Sequence, residues 1–213
     1  MSSNIRWVAV ASLAANLLLL QAFSQQSGEI TDLRDVSATY GGTIAHLEAE
    51  NEAASVELAV LKVLQHHRLR VSSAAREDVA DTIIEVAHRY RLAPELILAV
   101  IFTESSFDPD AESEVGAVGL MQLMPATATQ LALELELEWK GRELLTDPQV
   151  NILLGSFYLR KLIQEFDDLD AALAAYNVGP NRLHYLITEQ GHVPRTYARK
   201  VQRITAELRE EFF

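Results

Sequence analysis

Residues 94–107, PELILAVIFTESSF, form an apolar stretch that predicts a helix and ends beside an acidic residue, Glu104. Ile97, Val100 and Ile101 lie seven, four and three positions before it. Because residues at these spacings share one face of a helix, the carboxyl of Glu104 should lie on the face that is normally buried. Burial disfavours the charged form of a carboxyl and raises its pKa. A carboxyl that keeps its proton near neutral pH can act as a general acid, so Glu104 is our candidate catalytic residue.

The composition favours a mainly α protein of one or two domains. The chain has 213 residues, of which 49% are hydrophobic and only 7% aromatic, so aliphatic residues and alanine dominate. The net charge of −12 argues against a nucleic-acid partner, because phosphate groups require Lys and Arg. The chain has no cysteine, which excludes disulfides, thiolate catalysis and cysteine-based zinc sites. We expect no metal ion and no other cofactor.

Residues 7–23 form an uncharged, largely apolar run of 17 residues that follows Arg6. This length is at the short limit for a membrane-spanning helix, which typically needs ~20 apolar residues. We therefore expect residues 1–24 to be a signal anchor or a cleaved signal peptide, and a buried core helix is the third interpretation. The anchor is favoured because Ala22-Phe23-Ser24 makes a poor cleavage site, and Arg6 would then lie on the cytoplasmic side.

Residues 25–74 are polar and helix-prone, and they are predicted to form a helical or coiled-coil stalk. Apolar residues recur here at spacings near three, four or seven: Ile30, Leu33, Tyr40, Ile44 and Leu47. The pair Gly41-Gly42 interrupts the pattern and favours two helices over one. The alternative is an amphipathic helix that packs on the domain behind it.

Residues 75–213 are predicted to form a compact helical domain. Its loops and caps are marked by proline, glycine and aspartate. The expected helices cover residues 78–90, 94 to about 107, a segment from 125, 148 to about 166, 170–177, one ending near 189, and a last one from 194. In residues 131–138 leucine alternates with alanine and glutamate, which we interpret as a helix that frays near Gly141.

Two further clusters carry groups that can bind a polar ligand. The loop after Glu104 runs through residues 113–125, SEVGAVGLMQLMP, and combines two glycines with methionine side chains and the amide of Gln122. Glycine lets the backbone approach a ligand, while amides bind hydroxyl or N-acetyl groups and methionine offers an apolar face. The second cluster is AAYNVGP at residues 174–180, where Tyr176 and Asn177 can orient a carboxyl or a substrate oxygen.

Together these stretches resemble the three signature motifs of the lytic transglycosylase SLT family. The motifs are ESSF from Glu104, GAVGLMQLMP from Gly116 and AYNVGP from Ala175, and their order and spacing also match. Asn151-Ile152, Gly155 and Tyr158-Leu159 match in the intervening helix. The resemblance covers roughly residues 80–205. It implies a lysozyme-like, mostly helical fold related to goose-type lysozyme and cleavage of bacterial peptidoglycan.

The resemblance assigns roles residue by residue. Glu104 matches the single catalytic acid of the family. The substrate-binding positions are matched by Ser113, Met121, Gln122, Tyr176 and Asn177. Tyr197 falls where the family often carries a tyrosine in its last helix, but the acidic residue expected shortly before it is not evident in Pro194-Arg195-Thr196. We therefore leave Tyr197 out of the predicted site.

The resemblance also implies a reaction, a partner and a location. The enzyme would cleave the bond between N-acetylmuramic acid and N-acetylglucosamine without water, leaving 1,6-anhydro ends, with Glu104 acting first as acid and then as base. The alternatives are a hydrolytic muramidase and a non-catalytic glycan-binding scaffold. The expected partners are peptidoglycan strands, the inner membrane through residues 7–23, and a second copy or another protein through the stalk. The expected location is the bacterial cell envelope, with the catalytic domain in the periplasm, either anchored or secreted.

Overall fold

The computed structural model describes residues 15–17, 19–20 and 30–213, and these are mainly helical, as predicted. The helices are α1 (Ile30–His66), α2 (Ser73–Tyr90), α3 (Pro94–Ser105), α4 (Pro125–Glu134), α5 (Pro148–Phe166), α6 (Leu169–Val178), α7 (Pro180–Gln190) and α8 (Thr196–Phe212). A short 3-10 helix covers Arg142–Thr146. Within the described part of the chain, β-type pairing is limited to two isolated bridges in the loop before α4.

The chain divides into two compact units, Met1–Ser55 and Val56–Phe213. Most of the predicted membrane segment, residues 7–23, lies outside the described residues. Among the residues that are described, no helix combines the length and apolarity needed to cross a bilayer.

The first unit contains the beginning of α1, and this helix corrects one prediction. The pair Gly41-Gly42 does not divide the stalk, because α1 runs without interruption from Ile30 to His66. Glycine lowers helix propensity by about 1 kcal/mol per residue, but it does not block a helix as proline does. The sequence between residues 30 and 66 contains no proline, so nothing forces the helix to end.

The second unit begins earlier than the predicted boundary between residues 74 and 75. The residues of α1 that follow Ser55 bury one face in the core of this unit, through Ala59, Val60, Val63 and Leu64. Four apolar side chains at helical spacing are too much surface to leave in water, which is why this part of α1 belongs to the second unit. The Ser72 side chain caps α2 by accepting a hydrogen bond from the Ala75 N–H.

Helix α3 lies in the core of the second unit, and the other helices pack around it. Every residue from Glu95 to Ile101 is buried. Helix α3 packs against α2 and α8, while α5 packs against α2, α4 and α6. The only charged residue in this buried run, Glu95, is paired with Arg209 of α8 at 2.6 Å. This packing holds the C-terminal end of α3, and with it Glu104, in a fixed position relative to α8.

The leucine-alternating segment forms less helix than predicted. Helix α4 ends at Glu134, and the chain continues as a turn and loop in which Glu136 has a φ of +55°. Leu131 is buried, whereas Leu133 is 71% exposed. The later residues Leu135 and Leu137 pack on a small cluster around Leu145. Period-two spacing therefore reflects a loop that folds back on this cluster.

Candidate active site

Glu104 lies in the last turn of α3, above a fully buried apolar face. Pro94 occupies the first turn of the helix, where its missing N–H leaves no hydrogen bond unmade. The aliphatic residues at the predicted spacings, Ile97, Val100 and Ile101, have no exposed surface. Glu104 itself is partly exposed. Its carboxyl is therefore placed at the edge of the core, where water contacts only part of it.

Burial raises the pKa of the Glu104 carboxyl above its ordinary value of 4.5. Two groups oppose this rise because they stabilise the charged form: the Tyr197 hydroxyl, which donates a hydrogen bond to Glu104 Oε1, and the positive charge of Lys200. Carbonyl groups at the C-terminal end of a helix carry partial negative charge, which also disfavours a carboxylate there. The carboxyl of Glu104 therefore keeps its proton to a higher pH than an exposed glutamate.

Tyr197 is the residue that the sequence-based site leaves out. It lies in the first turn of α8, which packs against α3, and its hydroxyl donates to Glu104 Oε1. Burial and the neighbouring Glu104 raise the pKa of Tyr197, so this hydroxyl remains a donor at neutral pH. The position of Tyr197 in the last helix is the signal that could have identified it. The missing acidic residue nearby was not a reason to exclude it.

The backbone after Glu104 turns sharply. Ser106 and Phe107 both adopt left-handed conformations, with φ of +53° and +63°. Each such residue costs about 1–2 kcal/mol unless its surroundings hold it. Phe107 is buried and stacks on His67, with ring centroids 5.1 Å apart. This packing of Phe107 supports the strained turn, which directs the chain from the end of α3 into the loop before α4.

Tyr176 is brought close to Glu104 from the C-terminal half of α6. Its hydroxyl donates a hydrogen bond to the carbonyl of Met121 at 2.9 Å, and its ring packs against Tyr158. Burial raises the pKa of Tyr176, and the charge of Glu104 adds to the effect. This second cause places Tyr176 within electrostatic reach of Glu104. The neutral hydroxyl ties α6 to the loop before α4.

Ser113 and Gln122 lie in this loop, and both side chains form hydrogen bonds within it. Ser113 Oγ accepts from the Ala117 N–H at 2.9 Å. Gln122 Nε2 donates to the carbonyls of Ala111 and Gly119 at 2.9 and 3.0 Å. Both residues are partly exposed, and the Gln122 amide oxygen has no hydrogen-bond partner among the described residues. The two predicted binding residues therefore shape the loop, and Gln122 keeps an acceptor for a ligand.

Asn151 of α5 holds the loop from beneath. The side chain is fully buried, accepts from the Met121 N–H at 2.7 Å and donates to the carbonyls of Val118 and Leu145 at 2.9 Å. Gly119, with a φ of +82°, lies directly on it: a Cβ there would be 2.2 Å from the Leu145 oxygen and 2.3 Å from Asn151 Nδ2. The close approach requires glycine at position 119. Three buried backbone groups are satisfied by a single side chain.

Met121 and Asn177 are the remaining predicted binding residues, and the structure buries the first side chain and exposes the second. The Met121 side chain has no exposed surface and packs on Gly155, where a Cβ would lie 2.4 Å from its sulfur. The Met121 side chain therefore belongs to the core in this structure, and the residue serves the site through its backbone. Asn177 is exposed at the end of α6, and no hydrogen bond joins it to the other predicted residues.

Two acidic residues of the loop form ion pairs with arginines. Asp108 is paired with Arg70, and Glu112 is paired with Arg142 at 2.8 Å. The arrangement is therefore a single partly buried acid with a tyrosine donor, beside a rigid glycine-containing loop.

Comparison with known proteins identifies relatives of the second unit. A model of the family described as Transglycosylase SLT domain matches residues 81–197. The transglycosylase of Enterobacteria phage PRD1 is 37% identical over 123 residues, which are 58% of this chain and 41% of the relative. The soluble lytic murein transglycosylase of Salmonella typhimurium is 40% identical over 88 residues, 40% of this chain and 14% of the relative.

A solved structure has the same fold over this region. An inactive mutant of the lytic transglycosylase Slt from Pseudomonas aeruginosa superposes with a TM-score of 0.56 and 29% identity, covering 68% of this chain and 25% of that one. The chain thus spans less than half the length of each of these proteins.

The role of Asn151 in holding the loop predicts a large loss of stability in the Asn151→Ala variant. The Met121 N–H and the Leu145 carbonyl would each lose the Asn151 side chain at a cost of about 1–3 kcal/mol, so the loss should be at least about 2 kcal/mol. The Val118 carbonyl would keep its hydrogen bond from the Leu123 N–H. The Asn181→Ala variant is the control, because Asn181 is exposed and the change should stay within about 0.5 kcal/mol. Urea unfolding followed by circular dichroism measures both. Equal small losses would contradict this role of Asn151.

Proposed function

The chain belongs to the transglycosylase SLT domain family, and from this we propose that it is a peptidoglycan lytic transglycosylase. It cleaves the bond between N-acetylmuramic acid and N-acetylglucosamine and leaves 1,6-anhydro ends. The observation that carries the proposal is the partly buried carboxyl of Glu104, with its raised pKa and its hydrogen bond from Tyr197. A protonated carboxyl at the edge of a core is what the first step of this reaction needs.

In the first step Glu104 acts as a general acid. Its proton passes to the glycosidic oxygen while the bond from that oxygen to the anomeric carbon of the muramic acid breaks. The N-acetyl group of the same sugar stabilises the positive charge that develops at the anomeric carbon. Glu104 is left as a carboxylate, and the Tyr197 hydroxyl and Lys200 stabilise this form.

In the second step the Glu104 carboxylate acts as a base. It removes the proton of the 6-hydroxyl on the same sugar, and that oxygen attacks the anomeric carbon. The new bond closes the 1,6-anhydro ring, and the proton of the 6-hydroxyl restores the acid form of Glu104, while the first proton stays on the leaving group. Water is not consumed, so one carboxyl group serves both steps, whereas most glycoside hydrolases need two.

The surrounding loop would position the sugar. We assign substrate contacts to the exposed edge of this loop, through Ser113 and the free amide oxygen of Gln122, and to Asn177 at the end of α6. Tyr176 and Met121 support the loop through their hydrogen bond. Asn151 and Gly119 fix the backbone beneath it, which keeps these groups in place without further ordering on binding.

Hydrolysis by the same fold is the second candidate activity. An inverting enzyme would need another carboxylate to activate water on the far side of the sugar ring. The carboxylates of the loop are exposed or engaged with arginines, as with Asp108 and Arg70, which makes them poor candidates for this role. A binding protein without activity would have no use for a carboxyl with a raised pKa beside a tyrosine donor.

The Glu104→Gln variant separates these functions. It keeps the shape of the side chain but cannot donate and recover a proton, so turnover should fall about 10²- to 10⁴-fold while peptidoglycan binding remains. The matched control is Glu114→Gln, which makes the same change on an exposed residue of the neighbouring loop and should leave turnover unchanged. Muropeptides released by each protein are weighed by mass spectrometry.

The mass of the products identifies the reaction. Anhydro ends are lighter than reducing ends by one water, so the parent protein should release the lighter species. Release of reducing ends would establish hydrolysis instead. Full activity of the Glu104→Gln variant would show that Glu104 is not the acid.

We further propose that the catalytic unit acts in the periplasm, held to the inner membrane through residues 7–23 and carried on the stalk. The uncharged run after Arg6 supports the anchor. Fractionation of the producing cells and N-terminal sequencing test it: the full-length chain should sediment with the membranes. A shortened chain found only in the soluble fraction would support the secreted form and overturn the anchor.

A further inference from the structure

The part of α1 in the second unit carries apolar side chains on two faces, and the core covers the second face only in part. Val60, Val63 and Leu64 are fully buried. On the opposite face Leu58 is 52% exposed, Leu61 is partly exposed and Gln65 is exposed. A surface helix needs only one apolar face to pack on its domain, and although Leu61 packs partly on the core, Leu58 remains largely in solvent.

A groove lies along this second face. It has a volume of about 250 Å³ and runs between α1 and the first turns of α2. From α1 it is lined by Leu58, Leu61, Lys62 and Gln65. Two leucines and the stem of a lysine at the wall of an open groove are suited to receiving the side chains of another helix.

The residues of this face belong to a heptad register in the sequence of α1. Positions 40, 44, 47, 51, 54, 58, 61 and 65 alternate in steps of four and three, and they carry Tyr, Ile, Leu, Asn, Ala, Leu, Leu and Gln. In heptad notation Ile44, Asn51 and Leu58 are at a, and Leu47, Ala54 and Leu61 are at d. This alternation is the spacing of a coiled-coil seam.

In the first unit the same register is on the surface. Between residues 38 and 55 no side chain is buried, and only Ile44, Leu47 and Asn51 are partly covered. An isolated helix is marginally stable in water, and the two glycines weaken this one by about 1 kcal/mol each. Gly41 and Gly42 are at e and f, away from the seam, so they do not interrupt it.

We propose that α1 forms a parallel, in-register two-stranded coiled coil with a second copy of this chain. Isoleucine at a and leucine at d, as at Ile44 and Leu47, favour two parallel strands. Asn51 at an a position would meet the same residue of the second copy, which fixes register and strand number at some cost in stability. The inference deepens the proposed stalk and does not depend on the transglycosylase activity.

Charge complementarity supports the parallel direction. In a parallel pair, position g of one helix faces position e of the next heptad on the other. Glu57 is at g and Lys62 is at e, and neither forms an ion pair within the described part of the chain. An antiparallel pair would set g against g, which brings Glu50 and Glu57 together with like charge. The parallel arrangement therefore sets Glu57 beside the opposite charge of Lys62, and the antiparallel one loses this pair.

The chain has no cysteine, so single cysteines introduced along α1 report on the pairing directly. Ala54→Cys at d and Ile44→Cys at a should form disulfide-linked dimers of the full-length protein in detergent under mild oxidation. The matched controls are Ala53→Cys at c and Ala45→Cys at b. They should cross-link at least about tenfold less, because the Cα atoms of the two copies at these positions lie farther apart than the ~4.4–6.8 Å that a disulfide needs.

The direction of the helices follows from the two seam positions together. Residues 44 and 54 are about 15 Å apart along a helix, so only a parallel, in-register pair brings both to their own counterparts. Strong cross-linking at one of them alone would establish an antiparallel pair and overturn the proposal. Equal cross-linking at seam and control positions would indicate random collision and also overturn it.

Sedimentation of the full-length chain in detergent gives an independent measure of mass. The parent should have the mass of two chains, and Leu47→Asp should have the mass of one because it places a charge in the seam. Ala45→Asp places the same charge outside the seam and should stay dimeric. A parent protein of one-chain mass would overturn the proposal, whatever its activity on peptidoglycan.

Discussion

Burial of the Glu104 carboxyl at the C-terminal end of α3 is the constraint on which the rest of the site depends. Desolvation favours the protonated acid, while the Tyr197 hydroxyl and Lys200 stabilise the carboxylate. The proposed reaction needs both forms in turn, first to give a proton and then to take one. Burial keeps the proton on this carboxyl to a higher pH than on an exposed one, and the Tyr197 donor and Lys200 limit the rise in its pKa.

The loop before α4 shows how the fold supports this acid without adding flexibility. The loop leaves α3 through two left-handed residues, Ser106 and Phe107, and is then held by buried Asn151. Gly119 lets the backbone approach that side chain closely. The conformational strain of the turn is offset by the packing of the buried Phe107 ring on His67. The predicted substrate groups are therefore presented by a backbone that does not have to order itself on binding.

Local sequence signals predicted the parts of the structure that depend on local chemistry. The spacing of Ile97, Val100 and Ile101 before Glu104 predicted the buried face of α3, and prolines marked where α3, α4 and α5 begin. The resemblance identified the family, which the match of residues 81–197 confirms. These features follow from helix geometry and from the fixed φ of proline, so short windows of sequence contain them.

Contacts between distant residues could not be predicted in the same way. Tyr197 and Glu104 are 93 positions apart, and only the packing of α8 on α3 brings them together. Met121 was expected to contact a ligand, but a neighbouring Gly155 leaves room for its side chain in the core. The packing of α1 on the second unit was predicted only as the alternative to a stalk, because an apolar stripe does not tell whether it packs on its own domain or on another helix.

The most direct test is to titrate the δ-carboxyl carbon of Glu104 by NMR in the folded protein, with the signal assigned from its loss in the Glu104→Gln variant. The account predicts a midpoint above 4.5, and a higher one still in Tyr197→Phe, because that change removes a hydrogen bond which lowers the pKa. A midpoint at or below 4.5, unmoved by Tyr197→Phe, would contradict it.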